Sequence, residues 1–354
     1  MKSNFEFLNR YWPALAQIGA AAESYVYSDA NACLYKLGMF GERLILEIFA
    51  FEHIKEPTID NTHANRIRLL KREGLIPKKI DDILYALRKT RNDAVHAGAD
   101  SVEDAKTLLS MTYNLAVWFM EVYGDWGYIA PAFVMPENVV QPDYESIIKE
   151  QEEKIVALSK QVEAVSTAAS TKTSKERAEK GETASESMEL SEAETRYLID
   201  EQLRKFGWEA DTNTLRYSKG TRPQKGRNLA IAEWPTDSAV GKNGYADYAL
   251  FVGVKLVGIV EAKKAAIDIP SVIDHQCKEY AKGIKDEHQE YTINQWGAYK
   301  VPFVFATNGR KYLKQIETKS GIWYLDLRSG ANAPKALQGW ISPQGLMEQL
   351  EKDI

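Results

Sequence analysis

Residues 247–263 read DYALFVGVKLVGIVEAK: two apolar, β-branched runs flank a glycine, and charged residues bound them. Runs of this kind predict two antiparallel strands joined by a tight turn. With a three-residue turn, Val252 pairs with Leu256, and counting outward along the ladder places Asp247 opposite Glu261. The sequence thus predicts a hairpin that presents two acidic side chains on one face.

The opposed carboxylates indicate a divalent-metal site. Their Cβ atoms are expected about 4.5–5.5 Å apart, where two carboxylates repel unless they share a cation. Side chains alternate along a strand, so Lys263 shares the face of Glu261, while Ala262 points away and leaves its carbonyl at the edge of the site. Hard oxygen ligands suit Mg²⁺ or Mn²⁺. We expect Asp247 and Glu261 to bind the metal for phosphodiester hydrolysis, with Lys263 orienting the attacking water or stabilising the transition state; the alternative is a solvated strand face.

Length and composition limit the other possibilities. The chain has 354 residues, which favours two or three domains, and its 44% hydrophobic content supports folded cores. Cys33 and Cys277 form neither a disulfide framework nor a Cys-rich zinc pattern, and Cys277 is expected to be buried packing. The sequence has no signal peptide and no apolar run of about eighteen residues, so we expect a cytoplasmic protein without a membrane partner.

Charge is unevenly distributed along the chain. The net charge is −5; residues 1–190 hold 22 Lys+Arg against 29 Asp+Glu, and residues 191–354 hold 23 against 21. The acidic excess therefore belongs to the first half. The nearly neutral second half can still present local basic patches to phosphates.

Three regions follow from the patterning. Apolar residues recur at helical spacing through 1–135, so 1–140 is expected to form a helical N-terminal arm. Within 141–190, a heptad repeat at Ile148, Ile155 and Val162 predicts a short coiled-coil-like helix, followed by a polar, mobile linker. Residues 191–354 alternate helix and strand signals and predict an α/β domain with a mixed sheet.

The second domain is expected to open with a helix. Ser191 and Glu194 form a capping box and Gly207 ends that helix. After the hairpin, Asp268 caps a second helix with Pro270 in its first turn. The remaining predicted elements are strands near 214–216, 229–234, 301–306 and 323–325, and the second helix is expected to run to about 283.

The hairpin resembles the PD-(D/E)XK nuclease superfamily. Asp247 and the Glu261/Lys263 pair occupy its motif positions, although the frequent proline of the first motif is missing. Families of this superfamily related to RecB carry a Gln-x-x-x-Tyr pair on the next helix, here Gln276 and Tyr280, which share a helix face. The resemblance implies that this pair holds substrate phosphate or the water network. The alternative is a packed tyrosine with a solvated glutamine.

Two further sets of site residues are expected. Superfamily members often supply an acidic metal ligand from the helix before the sheet, which implies Glu194, although its capping role explains the same residue. A Gly- and Pro-containing loop carries basic residues that are typical of phosphate contacts, and a lysine after the hairpin extends them. The predicted DNA-binding residues are Lys219, Arg222, Lys225, Arg227 and Lys264.

A wider resemblance covers essentially the whole chain. The chain resembles the R subunits of type I restriction-modification enzymes. The residues that carry the resemblance are 2–8, 194–196, 207–208, 230–235, 246–248, 261–263 and 306–309. The resemblance implies an ATP-dependent restriction enzyme that acts with methyltransferase and specificity subunits. It implies cleavage of foreign double-stranded DNA that lacks the host's methyl mark.

One departure from that family concerns its translocase motor. The sequence has no Gly-x-x-x-x-Gly-Lys-Ser/Thr phosphate loop, and 241–243, Gly-Lys-Asn, is the nearest approach. We therefore expect a fragment that ends before the motor, or a shortened relative, and ATP is assigned only to a longer protein that carries the motor.

The helical arm offers an alternative function. Arg91 and His96 fit the Arg-x4-His pattern of HEPN domains, some of which are metal-independent RNases. Arg91 is rotated about 140° from His96 around a helix, so a joint site needs a second copy. His96 beside Gly98 is also explained as the end of a helix. A catalytically silent docking module is the third possibility.

Overall fold

The computed structural model describes residues 3–55, 60–138, 172–237, 244–263, 269–308 and 321–352. The chain divides into two compact units, Met1–Glu189 and Leu190–Ile354. The predicted heptad at Ile148, Ile155 and Val162 lies outside the described residues, and so do Asp268 and Lys264.

The first unit is helical, as the apolar spacing predicted. Its core consists of apolar side chains that recur at helical spacing, among them Phe40, Leu44, Leu87 and Trp118, all of which are buried. Its described helices are α1 (Pro13–Tyr25), α2 (Ala30–Phe51), α3 (His63–Arg72), α4 (Lys78–Ala97), α5 (Val102–Phe119) and α6 (Ser174–Ser187), with a 3-10 helix at Glu6–Arg10 and a π-helical turn at Met120–Gly124.

The linker prediction is wrong for α6. Arg177 of this helix donates two hydrogen bonds to the Glu52 carboxylate, at 2.6 and 2.7 Å, and both side chains are almost fully buried. The indole of Trp118 donates to the Gly181 carbonyl at 3.0 Å. The polar, small-residue composition suggested a mobile segment because composition does not reveal a buried ion pair. The small residues instead allow close packing.

Within its described residues, the second unit contains a seven-stranded mixed sheet. The strands follow one another across the sheet in sequence order; the first and second are parallel, the fourth and fifth are parallel, and the other neighbours are antiparallel. Its strands are β1 (Glu209–Ala210), β2 (Asn228–Pro235), β3 (Tyr245–Val252), β4 (Lys255–Ala262), β5 (Phe303–Thr307), β6 (Ile322–Asp326) and β7 (Lys335–Ala336). Its helices are α7 (Glu192–Lys205), α8 (Ile269–Val272), α9 (Lys278–Lys282) and α10 (Pro343–Glu351), with 3-10 helices at Tyr217–Lys219 and Asp286–Tyr291 and a π-helical turn at Ile273–Cys277.

The predicted mixed sheet is confirmed, with corrections at its first edge. Residues 214–216 form no strand; only Arg216 makes an isolated bridge, to Ala232. Asp211 accepts hydrogen bonds from the N–H groups of Asn213 and Thr214, and this turn replaces the extended backbone that the local sequence suggested. The edge strand is the shorter pair Glu209–Ala210. Strand β7 and helix α10 were not predicted.

The hairpin has a different turn from the predicted one but the predicted register at its open end. Val252 pairs with Lys255 rather than Leu256, so the turn has two residues, and Gly253 supplies its positive φ of 62°. A register shift next to Leu250 and Phe251 adds one residue to the second strand. The two differences cancel, and the register restored beyond this bulge is the one that places Asp247 opposite Glu261.

Both faces of the sheet are covered by apolar packing. Trp234, Phe251 and Val304 belong to one core, which includes residues of α8, the π-helical turn and α9. Tyr248 and Phe305 belong to the other, which includes residues of α7 and α10. None of the described helices has the length and hydropathy needed to cross a bilayer.

Candidate metal-binding active site

Asp247 and Glu261 meet at the open end of the hairpin. Tyr248 pairs with Val260 in the antiparallel ladder, and one further step outward sets the two acidic residues opposite each other. Both side chains are buried, with 7% and 3% of their residue surfaces exposed. Two neighbouring carboxylates in so little water are electrostatically costly, which requires local compensation.

Asp247 is held by two donors. The guanidinium of Arg196, on α7, donates to one carboxylate oxygen at 2.8 Å. The main-chain N–H of Ala262 donates to the other oxygen at 2.8 Å. The sequence predicted that the Ala262 carbonyl lies at the edge of the site, but the main-chain group of Ala262 that contacts Asp247 is its N–H. Because each carboxylate oxygen has two lone pairs, both oxygens keep one for a further ligand.

Glu261 is less completely bonded. The Lys263 ammonium lies 2.5 Å from one of its oxygens, and the other oxygen is buried and makes no hydrogen bond within the described residues. Burial, followed by the negative charge of Asp247, raises the pKa of Glu261 to about 8. This raised pKa favours a proton on Glu261 at neutral pH.

The donor set fits a hard divalent cation. The pair offers two buried carboxylates, and one oxygen of Glu261 is an unsatisfied acceptor. The described residues contain no group of three His, Cys, Asp or Glu side chains placed to hold a metal. Mg²⁺ commonly binds through one or two carboxylates and keeps several waters, so a two-carboxylate site suits it better than a metal that needs four protein ligands.

Glu194 is occupied elsewhere. Its carboxylate accepts a hydrogen bond from the Ser191 N–H at 2.6 Å, and Ser191 caps the helix in return, which is the predicted capping box. Glu194 does not join Asp247 and Glu261 in a three-ligand group. Two roles were considered for Glu194, a metal ligand and a helix cap. The structure shows the helix cap.

Arg196 and Glu233 were not predicted as site residues. Arg196 also contacts Glu233 at 3.2 Å and Glu192 at 3.1 Å. Glu233 lies within β2 with a φ of +52°, which is rare for a residue with a side chain. The sequence gave a weak signal, since Glu192 and Arg196 are spaced for a helical ion pair. The link to Asp247, 51 positions away, had no local signature.

Gln276 and Tyr280 are brought together near the carboxylates. The Gln276 amide donates to the Tyr280 hydroxyl at 2.9 Å, within the segment made of the π-helical turn and α9. Burial and then the charge of Glu261 raise the pKa of Tyr280 to about 12, so the ring lies within the field of the acidic pair. Single π-helical turns are frequent at functional sites. Cys277, between them, is buried as predicted and contacts the Phe305 carbonyl.

The predicted basic loop has two kinds of side chain. Lys219 and Lys225 are exposed. Arg222 stacks on the Tyr217 ring at 3.7 Å, and Arg227 pairs with Glu209 at 2.6 Å. The two arginines are therefore engaged within the chain, while the two lysines remain directed to solvent.

Arg91 and His96 of the alternative RNase pattern lie on α4. Arg91 forms an ion pair with Glu42 and lies over the Tyr35 ring. His96 is exposed in the last turn of the helix, which Gly98 ends in a left-handed conformation. The structure thus supplies a structural role for each position.

Comparisons with known proteins identify relatives of both regions. A family model described as the second domain of the type I restriction enzyme EcoKI endonuclease subunit matches residues 209–350, and a model for a domain of unknown function, DUF4145, matches residues 20–163. The type I restriction enzyme EcoKI endonuclease subunit of Escherichia coli (strain K12) is 33% identical over 423 aligned positions, which cover 99% of this chain and 36% of that protein. The chain therefore spans about a third of the length of this curated relative. No solved structure matches this chain significantly.

Proposed function

Because this chain is a relative of the N-terminal region of type I restriction enzyme endonuclease subunits, we propose that its second unit is a Mg²⁺- or Mn²⁺-dependent DNA nuclease domain of the PD-(D/E)XK superfamily. The observation that carries the proposal is the buried pair of Asp247 and Glu261 with the Lys263 ammonium beside it. Burying two carboxylates costs stability even with Arg196 and Lys263 beside them, and such costly clusters occur preferentially at functional sites.

The proposed mechanism assigns each side chain one task. Asp247 and Glu261 hold the metal through their oxygens. A bound Mg²⁺ supplies an acidified water and neutralises charge on the phosphate. Lys263, whose Nζ already lies 2.5 Å from Glu261, donates a hydrogen bond to the attacking water or to a phosphate oxygen as negative charge develops.

Gln276 and Tyr280 position the DNA backbone in this proposal. Their mutual hydrogen bond fixes the amide and the hydroxyl relative to each other. Tyr280 is fully buried, so it acts through Gln276: with its pKa raised to about 12 its hydroxyl stays protonated at neutral pH, and it accepts the hydrogen bond that holds the half-buried Gln276 amide for the phosphate. Lys219 and Lys225 are exposed and add sequence-independent phosphate contacts.

The relationship supports a proposal for the substrate and the partners. We assign double-stranded DNA without the host's methyl mark as the substrate, and methyltransferase and specificity subunits as the partners that recognise it. Cleavage by this unit is expected to lack sequence preference of its own. ATP is assigned to a translocase motor and not to the residues of this chain.

The test is cleavage of supercoiled plasmid by the purified chain with Mg²⁺, Mn²⁺ or EDTA, together with calorimetric Mn²⁺ titration. We expect metal-dependent nicking that Asp247→Asn abolishes. The matched control is Asp286→Asn, whose side chain is 99% exposed and which should nick normally. Cleavage of RNA in EDTA, or the absence of both nicking and Mn²⁺ binding in the unaltered chain, would contradict the proposal.

A further inference from the structure

Arg196 is the buried cation of the proposed site. Its guanidinium is 9% exposed and contacts three carboxylates, those of Asp247 at 2.8 Å, Glu192 at 3.1 Å and Glu233 at 3.2 Å. Arginine stays protonated at all pH values that proteins tolerate, and its planar fork fixes the direction of each hydrogen bond. The contact with Asp247 is therefore both a permanent charge and a geometric restraint.

The restraint acts on one carboxylate only. Asp247 has a donor on each oxygen, Arg196 on one side and the Ala262 N–H on the other. Glu261 has the Lys263 ammonium on one oxygen, and its other oxygen has no hydrogen-bond partner among the residues that the structure describes. The donors on both oxygens restrain Asp247 in one orientation, and Arg196 is the side chain that supplies one of them.

Glu233 supports Arg196 from the neighbouring strand. Its flanking residues, Ala232 and Trp234, pair regularly with β3, yet Glu233 itself adopts a φ of +52°. Such a conformation persists only where the surroundings enforce it, and it is found most often at functional sites. One Glu233 oxygen meets Arg196 and the other meets Arg216 at 3.4 Å.

We infer that Arg196 is a positioning residue for the metal site: anchored by Glu233, it fixes the Asp247 carboxylate in the orientation that binds the divalent cation. The inference rests on the proposed function and adds to it a residue that touches neither metal nor DNA. Residues that orient a metal ligand typically change metal affinity about 10–100-fold when they are removed.

Removal of Arg196 changes the metal affinity in opposite directions for a positioning role and for a purely electrostatic role. A cation 2.8 Å from a ligand oxygen repels Mg²⁺, so loss of its charge alone would tighten metal binding. Loss of an orienting hydrogen bond weakens binding. Positioning therefore predicts weaker binding in spite of the relieved repulsion.

The experiment titrates Mn²⁺ into the whole purified chain and follows the free-ion signal by electron paramagnetic resonance. Arg196→Ala should raise the Mn²⁺ dissociation constant about 10–100-fold, and guanidinium at millimolar, non-denaturing concentration should restore most of the affinity. The matched control is Arg216→Ala, which removes a guanidinium that contacts Glu233 but, in the described part of the chain, does not pair with Asp247; this variant should bind as the unaltered chain does. Glu233→Gln should weaken binding less than Arg196→Ala.

Three other results of the Mn²⁺ titrations would overturn the inference, and they differ in what they say about the metal site. Unchanged or tighter binding by Arg196→Ala overturns the inference and leaves the metal site in place. Weaker binding that guanidinium does not restore, together with a lower melting temperature, assigns Arg196 a purely structural role and also overturns it. If the unaltered chain and Asp247→Asn both fail to bind Mn²⁺, the proposed function falls, and this inference falls with it.

Discussion

Asp247 and Glu261 are similar groups on adjacent strands, yet their surroundings give them different properties. Asp247 has a permanent cation and a main-chain N–H as donors. Glu261 has one lysine, a buried free oxygen and a pKa raised to about 8. At the scale of single residues the pair is therefore asymmetric: Asp247 has a donor on each carboxylate oxygen, whereas the raised pKa of Glu261 favours a proton that a bound cation would displace.

Lys263→Gln separates metal binding from chemistry. In the proposed mechanism Lys263 is a donor beside Glu261 and not a metal ligand, so the variant should bind Mn²⁺ as tightly as the unaltered chain or more tightly. Its nicking rate should fall about 10²–10³-fold, as for other removed donors that stabilise transition-state charge. Parallel Mn²⁺ titration and single-turnover nicking check this. Equal loss of binding and of rate would show that the lysine acts on the metal site itself.

Asp200 predicts a pH-dependent stability. Burial raises its pKa from 3.8 to about 6, against the hydrogen bonds that it accepts from Thr212. A pKa raised by folding contributes stability that is complete below the unfolded value and is lost as the pH rises through the folded value. Relative to Asp200→Asn, the free energy of unfolding should fall by on the order of 3 kcal/mol between pH ~4 and pH ~7.

Urea unfolding of both proteins across this range measures the difference, with Asp286→Asn as the control for general charge effects. A constant difference between the unaltered chain and Asp200→Asn would mean that the folded protein holds the Asp200 carboxylate ionised throughout.

At the scale of elements, the hairpin explains how a partly wrong prediction located the site. The apolar runs defined two strands and their shared face, but the turn and the bulge depend on backbone geometry that composition does not specify. The real turn is one residue shorter at Gly253, and an extra residue beside Leu256 compensates. A net slip of one residue would have moved every side chain beyond the bulge to the opposite face, and the two differences together leave no net slip.

Helix α6 gives a test at the same scale. Arg177→Met leaves the buried Glu52 carboxylate without its cation and should reduce the free energy of unfolding by on the order of 3 kcal/mol. The helix should then become sensitive to limited proteolysis. The matched control is Lys175→Ala on the exposed side of the same helix, which should change neither property. Equal, rapid cleavage within 172–190 in all three proteins would support the linker that the composition suggested.

Across the whole molecule, local patterns predicted more than distant contacts did. Helical spacing revealed the first unit, and strand and turn signals revealed most of the sheet. Contacts between distant parts of the sequence were missed, such as Arg196 with Asp247 and Arg177 with Glu52. Periodicity reports the environment of one element at a time, whereas these ion pairs form only after several elements pack. The acidic pair was predictable because both residues belong to one hairpin.

The central claim is that Asp247 and Glu261 together bind a divalent cation. Its most direct measurement is a crystal structure of the chain with Mn²⁺, using anomalous scattering at the manganese edge. The account predicts an anomalous peak within about 2.0–2.3 Å of an oxygen from each carboxylate, absent in Asp247→Asn. A map with no peak at this pair, from crystals in which both side chains are ordered, would contradict it.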